Sequence, residues 1–352
     1  MKSLILFDQD LRHYRQPIYR SFSQEFRKLG YELFVVYDLK RNEVENDGFF
    51  IGIRYSFSGF VKMLKKYDSK LIIQFVWLKY RFLFPFMLYC KIKRIRSIVW
   101  SHGIGLKNLK NPIVRNLHFL RHKLATALII YSPNERKYVR ASHRKLFIAN
   151  NTLDFSSFPE ISRSREELKK ENGYEGKKII LSVGRFHALK RRIGHLVQAF
   201  NELDRKDTVL LIVGPGVSAV DKDAMNRNKD IHYLGEIYDP VKMNEIYKMS
   251  DLFAMPGGIG LAINQAFYHG LPIVLEDTEH SPEVYYLRNG KNGFLYERNN
   301  IHDLQEKLET LLGNDGLRES FSREAKAVIM SEGSIDNMIA GFTEAIKYAE
   351  RK

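Results

Sequence analysis

Two Rossmann-like, doubly wound α/β domains are what the 352-residue sequence predicts, and three observations predict them. Short β-branched or aromatic runs alternate with longer helical patterns, and continuous apolar strands separated by helices imply parallel sheets covered on both faces. The length exceeds what one hydrophobic core usually serves. A polar, charged segment, DFSSFPEISRSREELKKENGYEGKK (154–178), separates two sets of such alternations.

Along the first half the expected strands are SLILF, YELFVVYD, KLIIQFVW, SIVWSHG, TALIIYS and KLFIAN. The second half continues with KKIILSVGR, DTVLLIVGPG, DIHYLG, DLFAMPG and LPIVLED. The last stretch, SIDNMIAGFTEAIKYAERK (334–352), has the apolar spacing of an amphipathic helix and is expected to pack back on the first domain. The expected domains are therefore 1–163, with that helix, and 164–333.

The formal charge of +15 is uneven: residues 1–150 hold 29 Lys/Arg against 10 Asp/Glu, and the remainder 27 against 31. A basic first half attracts nucleic acid, an anionic membrane or a phosphorylated substrate without selecting among them. Cys90 is the only cysteine, so no intramolecular disulfide forms and a cytoplasmic protein is expected. The start, MKSLILFDQD, meets an acid too early for a secretory core. The tract LIIQFVWLKYRFLFPFMLYC (71–90) is interrupted by Gln74, Lys79, Arg81 and Pro85 and does not span a bilayer. Followed by KIKRIR, it reads either as a helix lying on the inner face of a membrane or as a buried helix with a solvated basic face.

In open α/β sheets ligands sit beyond the carboxyl ends of the strands, so the residues just after each apolar run carry the functional reading. LSVGRFHALKRR (181–192) ends a strand at Gly184, with Arg185 next and Lys190 at the following helix. Two cations by a glycine turn and a helix start suit an anion such as a diphosphate, or are ordinary solvated cations. FAMPGGIGLAINQAFYHGLPIV (253–274) supplies a second such place, where Gly257, Gly258 and Gly260, with Ile259 and Leu261, would let a ligand reach the backbone. Gln265 stands further along the helix, where an amide can bond a ribose hydroxyl. The plain alternative is a glycine-rich turn shaped by packing.

Together these segments resemble the C-terminal domain of the GT-B glycosyltransferases of family 4, retaining enzymes that use nucleotide-diphosphate sugars and whose two domains face across a cleft. Gly184-Arg185 with Lys190 matches G-R-x-x-x-x-K, while GLAINQAFYHGLPIV and PEVYYLRNGKNGFLY match the later frame. The resemblance covers nearly the whole chain. Where the family usually has two glutamates, this sequence has Gly257 and Gln265. DQDLRHYRQPIYRSF (8–22) resembles the start of a polysaccharide-building subgroup, which implies that His13, Tyr14 and Arg15 contact the acceptor, the alternative being a plain basic loop. VWSHGIG (99–105) resembles the segment whose histidine lies near the transferring sugar, here His102, ahead of Gly103 and Gly105; the alternative is a structural histidine. NNTLD (150–154) resembles the link between domains.

The resemblance implies transfer of a hexose from a UDP- or GDP-linked donor to a glycan or lipid-linked oligosaccharide of a bacterial capsule or O-antigen. Arg185 and Lys190 would take the place of a metal. Asp8-Gln9-Asp10 and Asp221-Lys222-Asp223 have the form of a D-x-D metal motif, but two Rossmann-like domains argue against that use. A dinucleotide-dependent oxidoreductase would need a fuller phosphate fingerprint than VGPGVS. No nucleic-acid-binding module is visible. A non-catalytic relative that binds nucleotide or glycan is the alternative raised by the absent glutamates.

Overall fold

Strands rich in Ile, Leu and Val need helices on both faces, and the chain satisfies this twice. The computed structural model describes residues 1–41, 46–102, 111–186 and 190–352. One unit comprises Met1–Asp154 and Ile335–Lys352, the other Phe155–Ser334.

In the first unit β1 (Lys2–Asp8), β2 (Tyr31–Asp38), β3 (Phe50–Ile53), β4 (Leu71–Phe75), β5 (Arg96–Trp100), β6 (Ala127–Ile130) and β7 (Leu146–Ile148) form a sheet of order β3-β2-β1-β4-β5-β6-β7. Every pairing is parallel. The order reverses between β1 and β4, so the ends of those strands flank the switch point of the sheet. Helices α1 (Arg15–Lys28), α2 (Phe57–Lys66), α3 (Leu83–Ile92) and α4 (Pro112–Leu124) belong to this unit. Asn111 caps α4 by accepting from the amides of Ile113 and Val114, with Pro112 at the first helical position.

In the second unit β8 (Lys178–Val183), β9 (Thr208–Val213), β10 (Ile231–Tyr233), β11 (Leu252–Met255), β12 (Ile273–Glu276) and β13 (Gly293–Tyr296) take the order β10-β9-β8-β11-β12-β13, again parallel. The reversal here lies between β8 and β11. The helices are α5 (Arg165–Glu171), α6 (Ile193–Asn201), α7 (Ala219–Asn226), α8 (Pro240–Met249), α9 (Ala262–Tyr268), α10 (Ile301–Gly313) and α11 (Asp315–Glu332).

Two strands went unread in the sequence, FIGI and GFLY. Each is four residues long, carries a glycine and sits at a sheet edge, where one partner is enough and no long apolar run is required.

The last helix, α12 (Ile335–Glu350), lies against β5, β6, β7 and α1. A Cβ at Gly341 would stand 2.0 Å from the carbonyl oxygen of Ile148, so only glycine allows this approach. Phe342 packs its ring against Phe22 and Trp100. The division between units falls at 154/155 and not at the expected 163/164. Residues 155–163 are polar in composition, yet Phe155 stacks on Tyr268 at 4.6 Å and Asn244 Nδ2 donates to Pro159 O. Lys248 Nζ likewise donates to Ile161 O, and these contacts hold the stretch to α8 and α9.

Half of the 71–90 tract is interior. All of β4 is buried, and α3 buries Leu83, Phe86, Met87 and Cys90, whose thiol is pushed up to about 12 by burial. Among the described residues no helix is long and apolar enough to cross a membrane.

Candidate functional site

Both loops singled out in the second half leave the carboxyl ends of the strands that flank the switch point, β8 and β11. The chain turns at Gly184 after β8, and a Cβ at Gly214, where φ is +125°, would stand 2.0 Å from Gly184 O. Glycine at 214 thus lets the loop after β9 press on the Gly184 turn. Arg185 and Lys190 are exposed.

The backbone of Lys190 meets the loop after β11 directly. Gly258 N donates to Lys190 O at 3.1 Å, Arg192 N donates to Pro256 O at 2.9 Å, and Arg191 forms a bridge with Gly257. Gly257 has φ +122°, and a Cβ there would lie 2.0 Å from Lys190 O. The structure therefore brings Gly184, Arg185, Lys190 and the 257–260 loop to one place.

It also changes what the loop amides do. The Gly258 amide is bonded to Lys190 O, and the Ile259 amide donates to His280 Nδ1 at 3.2 Å, while His280 Nε2 bonds Glu276 O at 2.9 Å. Those two N–H groups hold the loop and are not free for an anion, which corrects the sequence reading of Gly258 and Ile259 as backbone ligands. The glycine at 257 serves the approach of the chain to itself. Leu261 precedes α9, and Gln265 lies on α9, partly exposed.

Three side chains the sequence reading passed over hold this place together. Arg191 is a strap: Nε donates to Gly258 O at 2.7 Å and Nη1 to Arg185 O at 3.3 Å. Burial, and then the nearby Arg185 charge, lower its pKa. Arg192 pairs with the fully buried Glu276, which also accepts from Asn299 N at 3.0 Å. The run KRR at 190–192 was the available signal, but sequence does not tell which of three adjacent cations turns inward.

Asn264 is buried, and His269 is structural: Nε2 meets Asn244 Oδ1 at 2.6 Å, and burial, followed by Lys326, Arg165 and Lys248, lowers its pKa to about 3. In the first unit His122 is lowered to about 3, chiefly by burial. Both folded values lie below the unfolded value of about 6.5, so each contribution is complete above about pH 6.5 and is lost as pH falls toward 3. The unfolding free energy obtained from urea titrations should therefore fall as pH drops from about 6.5 to about 4, approaching roughly 1.4 kcal/mol per pH unit for each such histidine. A His269→Asn variant should show a shallower decline, and parallel curves would refute this.

In the first unit Arg15 is only 6% exposed. Its guanidinium donates to Asp8 Oδ2, Tyr19 OH and Tyr131 OH, each at 3.3 Å, and lies over the rings of Phe75 and Trp100. Tyr19 OH donates to Asp8 Oδ2 at 2.6 Å. This corrects the reading of Arg15 as an acceptor contact: a side chain so enclosed supports the site from beneath. Asp8, one half of the apparent D-x-D, is taken up by the same network, and Asp10 pairs with Arg12. In the other apparent motif Asp221 bonds Ser218, the cap of α7. His13 and Tyr14 are exposed at the start of α1.

His102, half exposed, stacks on Tyr131 with ring centroids 4.0 Å apart and planes 8° from parallel. Its Nδ1 is 3.6 Å from Glu135 Oε1, while Glu135 Oε2 accepts from the amides of Tyr131 and Ser132. Asp8, Arg15, Tyr131 and His102 thus form one connected stack. Gly103 and Gly105 lie outside the described residues.

Residues 164–328 match the family described as Glycosyl transferases group 1. An uncharacterized glycosyltransferase of Methanocaldococcus jannaschii is 27% identical over 285 residues, covering 75% of this chain and 68% of that protein. The poly(ribitol-phosphate) alpha-N-acetylglucosaminyltransferase of Staphylococcus aureus is 26% identical over 200 residues, covering 55% of this chain and 39% of that protein. The chain thus spans well under half the length of the second relative. The structure of HepE of Anabaena in complex with UDP superposes with a TM-score of 0.76 at 15% identity, covering 99% of this chain and 100% of that one. At that identity the likeness shows the fold, two parallel-sheet Rossmann-like units of the GT-B kind.

Proposed function

We propose, from the premise that this is a GT-B chain whose residues 164–328 form a glycosyl transferases group 1 domain, that it moves a sugar from a nucleotide-diphosphate donor to a glycan or lipid-linked acceptor of a bacterial surface polysaccharide. One observation carries the reading: Arg185, Lys190 and the glycine loop after β11 stand together at the switch point of the second sheet. HepE, the structural neighbour, is complexed with UDP and with UDP-glucose, which favours a UDP-linked donor over a GDP-linked one.

In this reading the diphosphate lies against the Arg185 and Lys190 side chains. As the anomeric bond breaks, negative charge grows on the leaving phosphate, and cations already in place lower the barrier without a metal. Gln265 bonds a ribose hydroxyl. The configuration at the anomeric carbon is retained, with the leaving phosphate drawing the proton from the acceptor hydroxyl. His102 meets the transferring sugar, and His13 and Tyr14 contact the acceptor.

The test is stabilisation by UDP and GDP in thermal unfolding, followed by release of nucleoside diphosphate from a panel of sugar donors. Binding without release from any donor would favour the non-catalytic reading, to which Gly257 and Gln265 in the glutamate positions lend support. Neither binding nor release sinks both.

His102→Ala should lower kcat by about 100-fold, a barrier change of about 2.7 kcal/mol, with an unchanged melting temperature because the ring is half exposed. An unaltered kcat removes His102 from the chemistry.

A further inference from the structure

We propose that Trp77, with Arg41 and Lys79, forms a subsite for an acidic sugar unit of the acceptor, one that carries a carboxylate or a phosphate. The inference deepens the transfer reading and rests on it for the acceptor being a glycan; the acidity is read from the first unit alone.

In that unit the sheet order reverses between β1 and β4, and ligands of open α/β sheets settle beyond the strand ends at such a place. Trp77 follows β4 by two residues and is 44% exposed, although the whole of β4 is buried. Its backbone is fixed from within: Trp77 N donates to Oε1 of the fully buried Gln9 at 2.6 Å, and Gln9 N donates to Phe75 O at 3.3 Å. The following turn is held too, Tyr80 N donating to Trp77 O at 3.3 Å and Tyr80 OH to Asp38 Oδ2 at 2.7 Å. Asp38 ends β2, and its carbonyl accepts from Arg41 N at 3.0 Å. An indole left in water on a backbone tied to two neighbouring strand ends is presented to a partner.

Two cations gather on that ring. Arg41 Cζ stands 4.8 Å and Lys79 Nζ 4.5 Å from the centroid of Trp77, and both side chains are exposed. The indole attracts each, which offsets their mutual repulsion. One carboxylate or phosphate can then pair with both, Arg41 offering the planar fork that matches such a group. What carries the anion lies beside the indole, and a pyranose suits it, with C–H groups for the ring and hydroxyls for water. Nucleic acid stacks several bases on several rings along a basic groove, whereas one indole with two cations fits one monosaccharide.

Trp100 is buried, Trp77 is not, and the chain has no other tryptophan, so quenching of indole emission reads the subsite. The full chain is titrated with methyl glucuronide, glucose 6-phosphate and the uncharged methyl glucoside. At least one acidic sugar should quench with a dissociation constant about 10-fold or more below that of the glucoside, and the tighter one names the acid. Arg41→Gln and Lys79→Gln should each weaken this binding by about 10-fold, and Trp77→Ala, followed by calorimetry, should abolish it. Equal binding of the glucoside overturns the proposal, as do no quenching by either acidic sugar and unchanged binding in the three variants. So do displacement by equimolar acetate or inorganic phosphate, which would mean a site for free anions, and quenching by single-stranded RNA with none by sugar. Circular dichroism checks folding of the variants, and all three should keep the UDP thermal shift. UDP stabilisation without acidic-sugar binding sinks this proposal and leaves the transfer reading. Acidic-sugar binding without UDP stabilisation removes the donor site and leaves the subsite as a glycan-binding one.

Discussion

Replacing Gly257 by glutamate, the residue the resembled family usually has there, lowers the melting temperature of the second unit by roughly 10 °C and does not improve transfer. The reason is steric. At φ +122° a side chain is strained, and its Cβ would stand 2.0 Å from a backbone oxygen, Lys190 O, which no rotamer change can clear. The loop must lift away, breaking the bond from Gly258 N and the Arg191 bridge. Together these amount to about 3–5 kcal/mol. Gly260→Ala is the contrast: its Cβ would meet Ser281 Oγ at an ordinary 3.6 Å, and the change should cost less than about 1 kcal/mol. Differential scanning calorimetry of the two variants decides the matter, and equal melting temperatures would refute it.

Removing both cations, Arg185→Ala with Lys190→Ala, abolishes the thermal stabilisation by nucleoside diphosphate and lowers kcat/KM by about 100- to 10,000-fold. Both side chains are exposed, so the unliganded melting temperature stays where it was. Each charged hydrogen bond to a phosphate is worth about 1.5–3 kcal/mol, and two lost together give the stated range. Arg191→Ala behaves differently, because Arg191 ties Gly258 O to Arg185 O. It should lower both the unliganded melting temperature and nucleotide affinity. If the double variant is still stabilised by UDP as the unaltered chain is, the donor site lies elsewhere.

Much of the fold was legible because alternation is a local property. Each run such as SLILF or TVLLIV states by itself that both its faces are covered, and so that the sheet is parallel. The strand-end residues were legible for the same reason, since Gly184-Arg185 and Gly257 to Gly260 follow their strands directly. The edge strands FIGI and GFLY were not, as four residues with a glycine carry too little pattern.

The sequence by itself determined two doubly wound units, a basic first half, and a set of glycines and cations at strand ends. Only the tertiary structure decided their uses. It turned Arg15 inward under Tyr131, made Arg191 the strap among three adjacent cations, docked residues 155–163 on the second unit, and set the carbonyl of Lys190 against Gly257. The physical reason is range: periodicity and strand ends are written within a few neighbouring residues. Which arginine is buried, and which glycine is forced, depends on contacts between segments tens of residues apart.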